Sequence, residues 1–307
     1  MTEVDHAPVM LKEAVELLAP QKGGIYVDCT LGGGKHSKVI LDQIGPIGRL
    51  IGFDKDESAL QRAKEYLADY GEQVTFVHSD FRRMEDILQE LQISEVDGIL
   101  FDFGISSYQV LDPERGFSYR YDAALDMRMN RKAKTTAADL VNNLSEKQLA
   151  DIIFRYGEER WSRRIASFIV TQRERAPITT TMELVDIIKA AIPARARRTG
   201  PHPARRTFMA LRIAVNDELA AIEEGLRVGI SLLKPGGRVV AISFHSLEDR
   251  IVKHVFREHG SPSPSQDVLR ILTKKPLVPL GEEIKVNPRS RSAKLRAAEK
   301  LLSSGVI

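Results

Sequence analysis

Three short apolar runs that each end in an aspartate place the strongest constraint on how this chain folds. They are Ile25-Tyr-Val-Asp28, Leu50-Ile-Gly-Phe-Asp54 and Gly98-Ile-Leu-Phe-Asp102. Each run has the length and composition of a buried strand. Apolar residues at helical spacing follow the second run, and residues 74–77 form another strand-like run. Strands that alternate with helices predict an α/β fold, with a doubly wound, mostly parallel sheet and helices on both faces.

This rhythm is interrupted in the middle of the chain. Residues 111–206 contain no run typical of a buried strand, and their apolar residues recur at helical spacing. From Phe208 to Leu233 the apolar spacing stays helical, which predicts one long amphipathic helix, and residues 238–243 predict a fifth strand. The α/β pattern therefore resumes, and we expect residues 1–110 and 207–307 to form one core. Residues 111–206 would then be a helical insert in that core.

Composition excludes several classes of protein. No apolar run approaches the roughly 20 residues that span a bilayer, and acids and a lysine interrupt residues 1–16, unlike a signal peptide. The single cysteine, Cys29, excludes an internal disulfide and a cysteine-based zinc cluster, and no metal site is predicted. These observations predict a cytoplasmic protein.

Basic residues are unevenly distributed, although the net charge is only +3. A segment without acids contains Arg195, Arg197, Arg198, Arg205 and Arg206, and residues 274–300 carry eight basic residues against three acids. Such clusters suit a polyanionic partner. A face that merely contacts solvent is the alternative interpretation.

Polar residues that suit a nucleoside cofactor stand at the carboxyl ends of the predicted strands. Ligands of doubly wound sheets bind beyond the carboxyl ends of the strands. Asp28 with the glycines after it, Asp54, Asp102 and residues 243–245 all fall there. Asp54 stands 22 positions after Gly32, close to the spacing of about 20 at which an acid meets a ribose diol.

The same loop favours a cationic cofactor over a dinucleotide. A dinucleotide site has the pattern G-x-G-x-x-G, whereas the third glycine position is occupied here by Ser37. The carboxylate of Asp28 would repel a pyrophosphate and would attract a cation such as the sulfonium of S-adenosylmethionine. The loop therefore favours methyl transfer over hydride transfer.

Seven ordered motifs resemble one family of enzymes. The first is Tyr26-Val-Asp-Cys-Thr-Leu-Gly-Gly-Gly-Lys-His-Ser37, and the others cover residues 102–109, 114–119, 125–129, 206–219, 242–252 and 287–300. Together they resemble the bacterial family that methylates cytosine N4 in 16S ribosomal RNA, and the resemblance extends over residues 6–300. It implies a Rossmann-like methyltransferase core that uses S-adenosyl-L-methionine. It also implies a cytidine of the small ribosomal subunit as target, near the decoding centre.

The resemblance further implies a set of cofactor contacts. In this numbering they are Gly34, Lys35, His36, Asp54, Phe81, Asp102 and Gln109. The family usually has glycine or alanine in place of Lys35, and proline in place of Tyr108 and Ala124. A lysine at a left-handed backbone position would be strained. We expect position 35 to contribute its backbone alone.

Three residues are candidates for the chemistry on the base. Asp102 could accept the N–H groups of the target amine, or it could cap the loop that follows it. Phe244 and His245, at the end of the fifth strand, could stack on and bond to a flipped base, although a lone histidine is often structural. Methylation of cytosine C5 would need a nucleophile. We interpret Cys29, the only cysteine, as a structural residue of the cofactor loop instead.

Several alternatives stay open from the sequence. The chain could methylate an amine of DNA or another RNA, it could bind RNA without catalysis, or it could be an NAD-dependent oxidoreductase. Asn216 and Asp217 leave the apolar stripe of the predicted long helix, and they could line a pocket or contact solvent. The oligomeric state is also open, with a homodimer as one option. The expected partner is 16S ribosomal RNA, either free or within the small ribosomal subunit.

Overall fold

The structure is a computed structural model that describes residues 8–198, 200–260 and 269–301. The chain divides into two compact units. Unit 1 comprises Met1–Gly104 and Leu219–Ile307, and unit 2 comprises Ile105–Glu218. No helix in the described ranges is both long enough and apolar enough to cross a membrane.

A sheet of seven strands forms the centre of unit 1. Its strands are β1 (Ile25–Asp28), β2 (Arg49–Asp54), β3 (Val74–His78), β4 (Val96–Asp102), β5 (Leu233–Ser243), β6 (Leu269–Ile271) and β7 (Lys294–Lys300). Their order is β3-β2-β1-β4-β5-β7-β6. The first five strands pair in parallel, and β7 is antiparallel to β5 and β6. The predicted α/β class and the mostly parallel sheet are confirmed.

Helices cover both faces of this sheet. They are α1 (Leu11–Leu18), α2 (Lys35–Ile44), α3 (Glu57–Tyr66), α4 (Met84–Glu90), α12 (Glu218–Leu232), α13 (Ser246–His259) and α14 (Gly281–Val286). One apolar cluster contains Phe101 and Leu226, and a separate one contains Leu100 and Ile40. Because Leu100 and Phe101 are successive residues of β4, they point to opposite faces, and each face buries its own apolar layer.

The strand β7 was not predicted, because three basic residues and one acid interrupt its apolar residues. Its three basic side chains have partners within unit 1. Lys294 Nζ lies 3.1 Å and Arg296 Nε 2.7 Å from the carboxylate of Asp249. Lys300 Nζ donates to the carbonyl oxygen of Ser231 at 3.0 Å. These three residues are therefore structural parts of a strand that lies between β5 and β6, whereas the sequence suggested a basic segment for a polyanionic partner.

Unit 2 consists of helices around a separate apolar core. They are α5 (Ser107–Leu111), α6 (Ala137–Asn143), α7 (Glu146–Gly157), α8 (Ser162–Arg173), α9 (Thr181–Ala191), α10 (Ala194–Arg197) and α11 (Arg205–Asn216). The core includes Leu149, Ile165, Leu184 and Phe208. Within the described part of this unit, β-pairing is limited to one bridge between Ala124 and Thr180.

The prediction of one long helix from Phe208 to Leu233 is wrong. Asp217 adopts a left-handed conformation with φ of 50°, which ends α11, and α12 begins at the next residue. Phe208 and Leu211 pack in the core of unit 2, whereas Leu226 packs against the sheet. The apolar spacing thus continues through a break in the helix. The boundary between the two units lies after residue 218, whereas the sequence predicted it after residue 206.

Two contacts hold this break in place. Arg212 forms a bidentate ion pair with Glu218, with Nε–Oε1 and Nη2–Oε2 distances of 2.8 and 2.7 Å. Asn216 Nδ2 donates to the carbonyl of Met127 at 2.8 Å, and its Oδ1 accepts from the backbone N–H of Met129 at 2.7 Å. Asn216 therefore anchors the 127–129 segment. The sequence suggested a pocket-lining or a solvent-exposed residue and did not indicate this structural role.

Candidate active site

The aspartates predicted to end the strands lie at one edge of the sheet. Parallel pairing aligns Asp28 of β1 with Gly52 of β2 and Leu100 of β4. It also aligns Asp102 of β4 with Ile242 of β5. Since β1 is next to β4, the strand order reverses at this point, where ligands of doubly wound sheets bind.

Asp28 braces the glycine loop. Its side chain is buried, its Oδ2 accepts from the Ser37 hydroxyl at 2.6 Å, and its Oδ1 accepts from the Thr30 N–H at 3.1 Å. Burial raises the pKa of this carboxyl to about 6, and the hydrogen bond from Ser37 opposes that rise. Asp28 is thus engaged in the loop itself, whereas the sequence predicted that it would attract a cationic cofactor.

The glycine loop leads directly into α2. Gly34 has a φ of 79°, and a Cβ there would lie 3.0 Å from a methyl group of Leu67, so glycine is required. Lys35 is the first helical residue and does not have a positive φ. The lysine therefore carries no left-handed strain. Its expected role as a backbone contact stays a prediction.

Asp54 ties the loop to the end of β2. Its Oδ2 accepts from the N–H of Gly32 at 2.9 Å, and its Oδ1 accepts from the N–H of Asp56 at 2.8 Å. Burial raises the pKa of Asp54 to about 6, while these two N–H groups favour the ionised form. An ionised carboxylate has about four acceptor sites, so two would be left for a ribose diol.

Replacement of Asp54 by alanine should weaken the binding of S-adenosylmethionine and of its demethylated product. Loss of two hydrogen bonds worth about 1 kcal/mol each predicts a rise in Kd of roughly tenfold or more. Titration calorimetry with both ligands measures this change. Asp69→Ala, which removes an exposed carboxylate of unit 1, is the matched control. Equal affinities in wild type and Asp54→Ala would show that Asp54 is not the ribose ligand.

Asp102, at the end of β4, has a carboxylate oxygen that is available to a ligand. Its N–H donates to the Thr30 hydroxyl at 2.6 Å, which joins the end of β4 to the loop after β1. Among the described residues, its buried Oδ1 has no hydrogen-bond partner. Burial raises its pKa well above the ordinary value, and the charges of Asp28 and Glu248 add to the effect. A buried acceptor of this kind fits a cation or an amine N–H.

His36 stands beside Asp102 but is held by other contacts. Its Nε2 lies 3.1 Å from the carbonyl oxygen of Val9, so this nitrogen carries the proton. Its Nδ1 lies 3.8 Å from Oδ2 of Asp102. Burial lowers the pKa of His36 to about 4, which keeps the ring neutral near pH 7. Because the ring is engaged with Val9, a cofactor contact at this position would involve the backbone at the start of α2.

The two remaining predicted cofactor residues are also structurally engaged. The ring of Phe81 is buried and packs edge-on against Phe101, with ring centroids 5.5 Å apart. Gln109 belongs to unit 2, where its side chain accepts from the N–H of Ser106 at 3.0 Å in a capping box. Their contacts with the cofactor stay predictions.

The segment after β5 is built around a residue that sequence reasoning missed. Glu248 is completely buried, and its Oε2 accepts from the N–H groups of Phe244 and His245 at 2.6 and 3.2 Å. His245 caps α13, since its Nδ1 accepts from the N–H of Glu248 at 3.4 Å and its Nε2 lies 3.1 Å from Glu248 Oε1. The signal was a glutamate three positions after the cap, as in a capping box.

The ring of Phe244 lies beside the backbone that follows β4. A Cβ at Gly104, which has a φ of 99°, would lie 3.5 Å from the Phe244 ring. Phe244 therefore covers the backbone just after Asp102. Both ring nitrogens of His245 face Glu248, so its proposed contact with a base would require a rearrangement of this cap.

Cys29 is a packed structural residue. It is buried, and burial together with the nearby charge of Asp28 raises the pKa of its thiol well above the ordinary value. A thiol of this kind is a poor nucleophile, because the thiolate is the reactive form. The site therefore lacks the covalent catalyst that methylation of a ring carbon would need.

The strand order, the loop after β1 and the acids at the strand ends define a protein of the class that binds a nucleoside cofactor. A family model for the MraW methylase family matches residues 3–301. The chain belongs to this family, so it is a methyltransferase, and its cofactor is S-adenosylmethionine. The unpartnered oxygen of Asp102 and the two acceptor sites left on Asp54 fit that cofactor.

One characterised relative is similar over nearly the whole chain. It is the ribosomal RNA small subunit methyltransferase H of Symbiobacterium thermophilum, 52% identical over 96% of each sequence. Among solved structures, a protein of Clostridium thermocellum proposed to be an rRNA methylase covers 97% of this chain and 99% of its own, with 11% identity and a TM-score of 0.47. An rRNA methylase of Streptococcus thermophilus covers 95% and 94%, with 12% identity and a TM-score of 0.43. Because both TM-scores are below 0.5, the fold assignment rests on the sheet itself.

Proposed function

We propose that this protein transfers a methyl group from S-adenosylmethionine to N4 of one cytidine in 16S ribosomal RNA, near the decoding centre. The observation that carries the proposal is the half-buried carboxylate of Asp102 at the end of β4, beside the cofactor loop, with an oxygen that has no partner in the described chain. The 52% identical relative, which is named as a small subunit rRNA methyltransferase, supports the substrate.

The cofactor would be held by two kinds of contact. The backbone of Gly34, Lys35 and His36 would approach it at the start of α2, and Asp54 would bind the ribose. Phe81 would contribute through its backbone, and Asp102 and Gln109 would complete the set. When bound, the cofactor supplies a methyl group that its sulfonium has already activated. The chain must then align the acceptor and remove a proton.

Asp102 would act on the acceptor amine. The lone pair of cytosine N4 is delocalised into the ring, so the free amine is a weak nucleophile. A carboxylate that accepts an N–H bond favours a less planar amine, and it can take the proton that N4 loses when the N–C bond forms. Phe244 would stack on the base, which suits a flipped or single-stranded cytidine. The buried Cys29 thiol supports an amine as the target over the C5 carbon.

Unit 2 would supply the recognition of RNA. We assign this role to the predicted insert, residues 111–206, together with the first turn of α11. Residues 105–218 contain 20 Lys and Arg against 14 Asp and Glu, a net charge of +6 in a chain whose total is +3. The five arginines at 195, 197, 198, 205 and 206 are all exposed. They would bind phosphates, which position the substrate without reading its sequence.

The absence of strain at Lys35 counts against a non-catalytic RNA-binding protein. A lysine that strained the cofactor loop would have favoured that alternative. The helical start of α2 at Lys35, with both Gly32 and Gly34 in left-handed conformations, is an intact loop. A missing third glycine and the buried carboxylate of Asp28 equally disfavour a dinucleotide.

Mass spectrometry of 16S ribosomal RNA from cells that lack this protein tests the proposal. We expect one cytidine that carries an N4 methyl group in wild-type cells to lack it in the deletion strain, because this protein would be the enzyme that adds it. Expression of the wild-type chain in the same strain should restore the modification, and expression of Asp102→Asn should not. If every N4-methylated cytidine persists in the deletion strain, the substrate assignment is wrong.

A further inference from the structure

Three exposed arginines lie where α7 ends and α8 begins, apart from the clusters that the sequence analysis emphasised. They are Arg160, Arg163 and Arg164. Within the described ranges, none of the three forms an ion pair with a carboxylate. We call these residues, with the rings of Trp161 and Phe168, the α8 arginine surface.

Two of these arginines are held against aromatic rings. The guanidinium carbon of Arg160 lies 5.3 Å from the ring centroid of Trp161, and that of Arg164 lies 5.3 Å from the ring of Phe168. Both rings are partly buried against the core of unit 2. The guanidinium groups are therefore ordered before any partner binds, which reduces the entropy lost when their N–H groups bond.

The position of these charges opposes the stability of the helix. Negative charge is favourable at a helix N-terminus, and positive charge is unfavourable. The helices α6, α7 and α9 follow this rule, since each begins with a capping box and has an acid in its first turn. In α8 and α11 the side chain of the N-cap residue forms no capping hydrogen bond and no acid stands in the first turn, where arginines are found instead. At the start of α8, the carboxylate of the buried Glu159 accepts from the N–H of Trp161 at 2.9 Å. The exposed arginines of these two first turns therefore leave positive charge at helix N-termini, where an anion from solvent or a partner is favoured.

The starts of α8 and α11 are close to each other. Arg206 Nη1 donates to the carbonyl oxygen of Glu158 at 3.1 Å. A Cβ at Gly157 would lie 2.7 Å from the backbone oxygen of Arg206, so the first turn of α11 packs directly on the end of α7. Glu158 is separated from Arg160 by one residue. The α8 arginine surface therefore continues from Arg205 and Arg206.

We propose that the α8 arginine surface binds the sugar-phosphate backbone of the RNA substrate, next to the phosphates bound by Arg205 and Arg206. This inference rests on the proposed function, and it adds a contact surface that the sequence motifs did not indicate. Phosphate is the partner that fits, because ordered guanidinium groups without counter-ions bind it through two parallel N–H bonds. A backbone contact tolerates any base, so Trp161 and Phe168 serve to hold the arginines.

The test compares two variants that each lose three positive charges. One is Arg160→Gln/Arg163→Gln/Arg164→Gln. The other is Lys12→Gln/Lys22→Gln/Lys253→Gln, which removes three exposed lysines of unit 1. Binding to protein-free 16S ribosomal RNA, and to small subunits from cells that lack the protein, is measured over a series of KCl concentrations. Thermal unfolding and the Kd for S-adenosylmethionine verify that each variant is folded.

We expect the arginine variant to bind both RNA substrates more weakly and with a flatter salt dependence. Three lost phosphate contacts at about 0.7 each reduce the slope of log K against log salt by about 2. The lysine variant should keep the wild-type slope. If the triple arginine variant does not fold, Arg163→Gln, which contacts neither ring, should reduce the slope by about 0.7.

Two results would overturn the inference. One is an arginine variant that binds RNA like the lysine variant. The other is a variant that binds subunits weakly but protein-free RNA normally, because the surface would then contact a ribosomal protein. Failure of the proposed function gives a different result, in which the wild-type chain itself does not methylate the small-subunit RNA.

Discussion

Asp102→Asn should reduce methyl transfer by about 100-fold to 10,000-fold, the range typical of losing a positioned proton acceptor. Asparagine has nearly the same shape as aspartate, but it cannot take a proton, and one of its terminal atoms is a donor. The buried Oδ1 of Asp102 has no partner in the described ranges, so its capacity is available to a substrate. Single-turnover transfer of a labelled methyl group to small subunits from the deletion strain measures the effect.

The control for this prediction separates chemistry from binding. Asp69→Asn makes the same change at an exposed position of unit 1 and should leave turnover unaltered. In Asp102→Asn, the affinity for RNA should equal that of the wild type, because Asp102 is not part of the basic surface of unit 2. Turnover within tenfold of the wild type would mean that another group accepts the proton.

Arg212→Met should cause the largest loss of stability, about 3–5 kcal/mol, as expected when one partner of a buried ion pair is removed. The side chains of Arg212 and Glu218 are only 13% and 7% exposed. Without Arg212, the carboxylate of Glu218 would stay buried without its cation, at the break between α11 and α12. Urea unfolding followed by circular dichroism gives the change in free energy.

A double variant distinguishes a broken pair from lost packing. Arg212→Met/Glu218→Leu replaces both charges by apolar side chains, and we expect it to recover most of the stability that Arg212→Met loses. Lys189→Met, which removes one partner of the exposed pair with Asp186, should change stability little. If the double variant were as unstable as Arg212→Met, the ion pair would not be the cause.

Local patterns predicted the sheet because its signals lie within a few residues. Each of β1, β2 and β4 combines a fully apolar run with an aspartate at its end. In the middle of the chain, the period of the apolar residues indicated helices, and unit 2 is helical. The break in the helix at Asp217 gave no such signal, because one left-handed residue leaves the spacing of the apolar residues, three and four positions apart, unchanged.

Contacts between residues that are far apart in the sequence explain the features that local patterns did not predict. The basic strand β7 is stable in the sheet because Asp249, on α13, neutralises Lys294 and Arg296. His245 stays a candidate base contact, but the sequence did not indicate that both of its ring nitrogens lie against Glu248. The buried carboxylate of Asp28 accepts a hydrogen bond from Ser37, nine residues further along the chain. A spacing rule identified these residues but could not give the direction of their side chains.

The division of unit 1 into two stretches of chain has a consequence for the order in which a ribosome makes this protein. Unit 2 is one continuous segment with its own apolar core, so it can fold as soon as residue 218 has emerged. The strand β4 must wait for β5, because these two strands pair only across the inserted segment, and β5 then pairs with β7, which follows it in the chain. The edge of β4 and the sheet face that α12 covers thus lack their partners during synthesis of the whole insert. We expect chaperones that recognise apolar strands to bind nascent chains that end between residues 105 and 232.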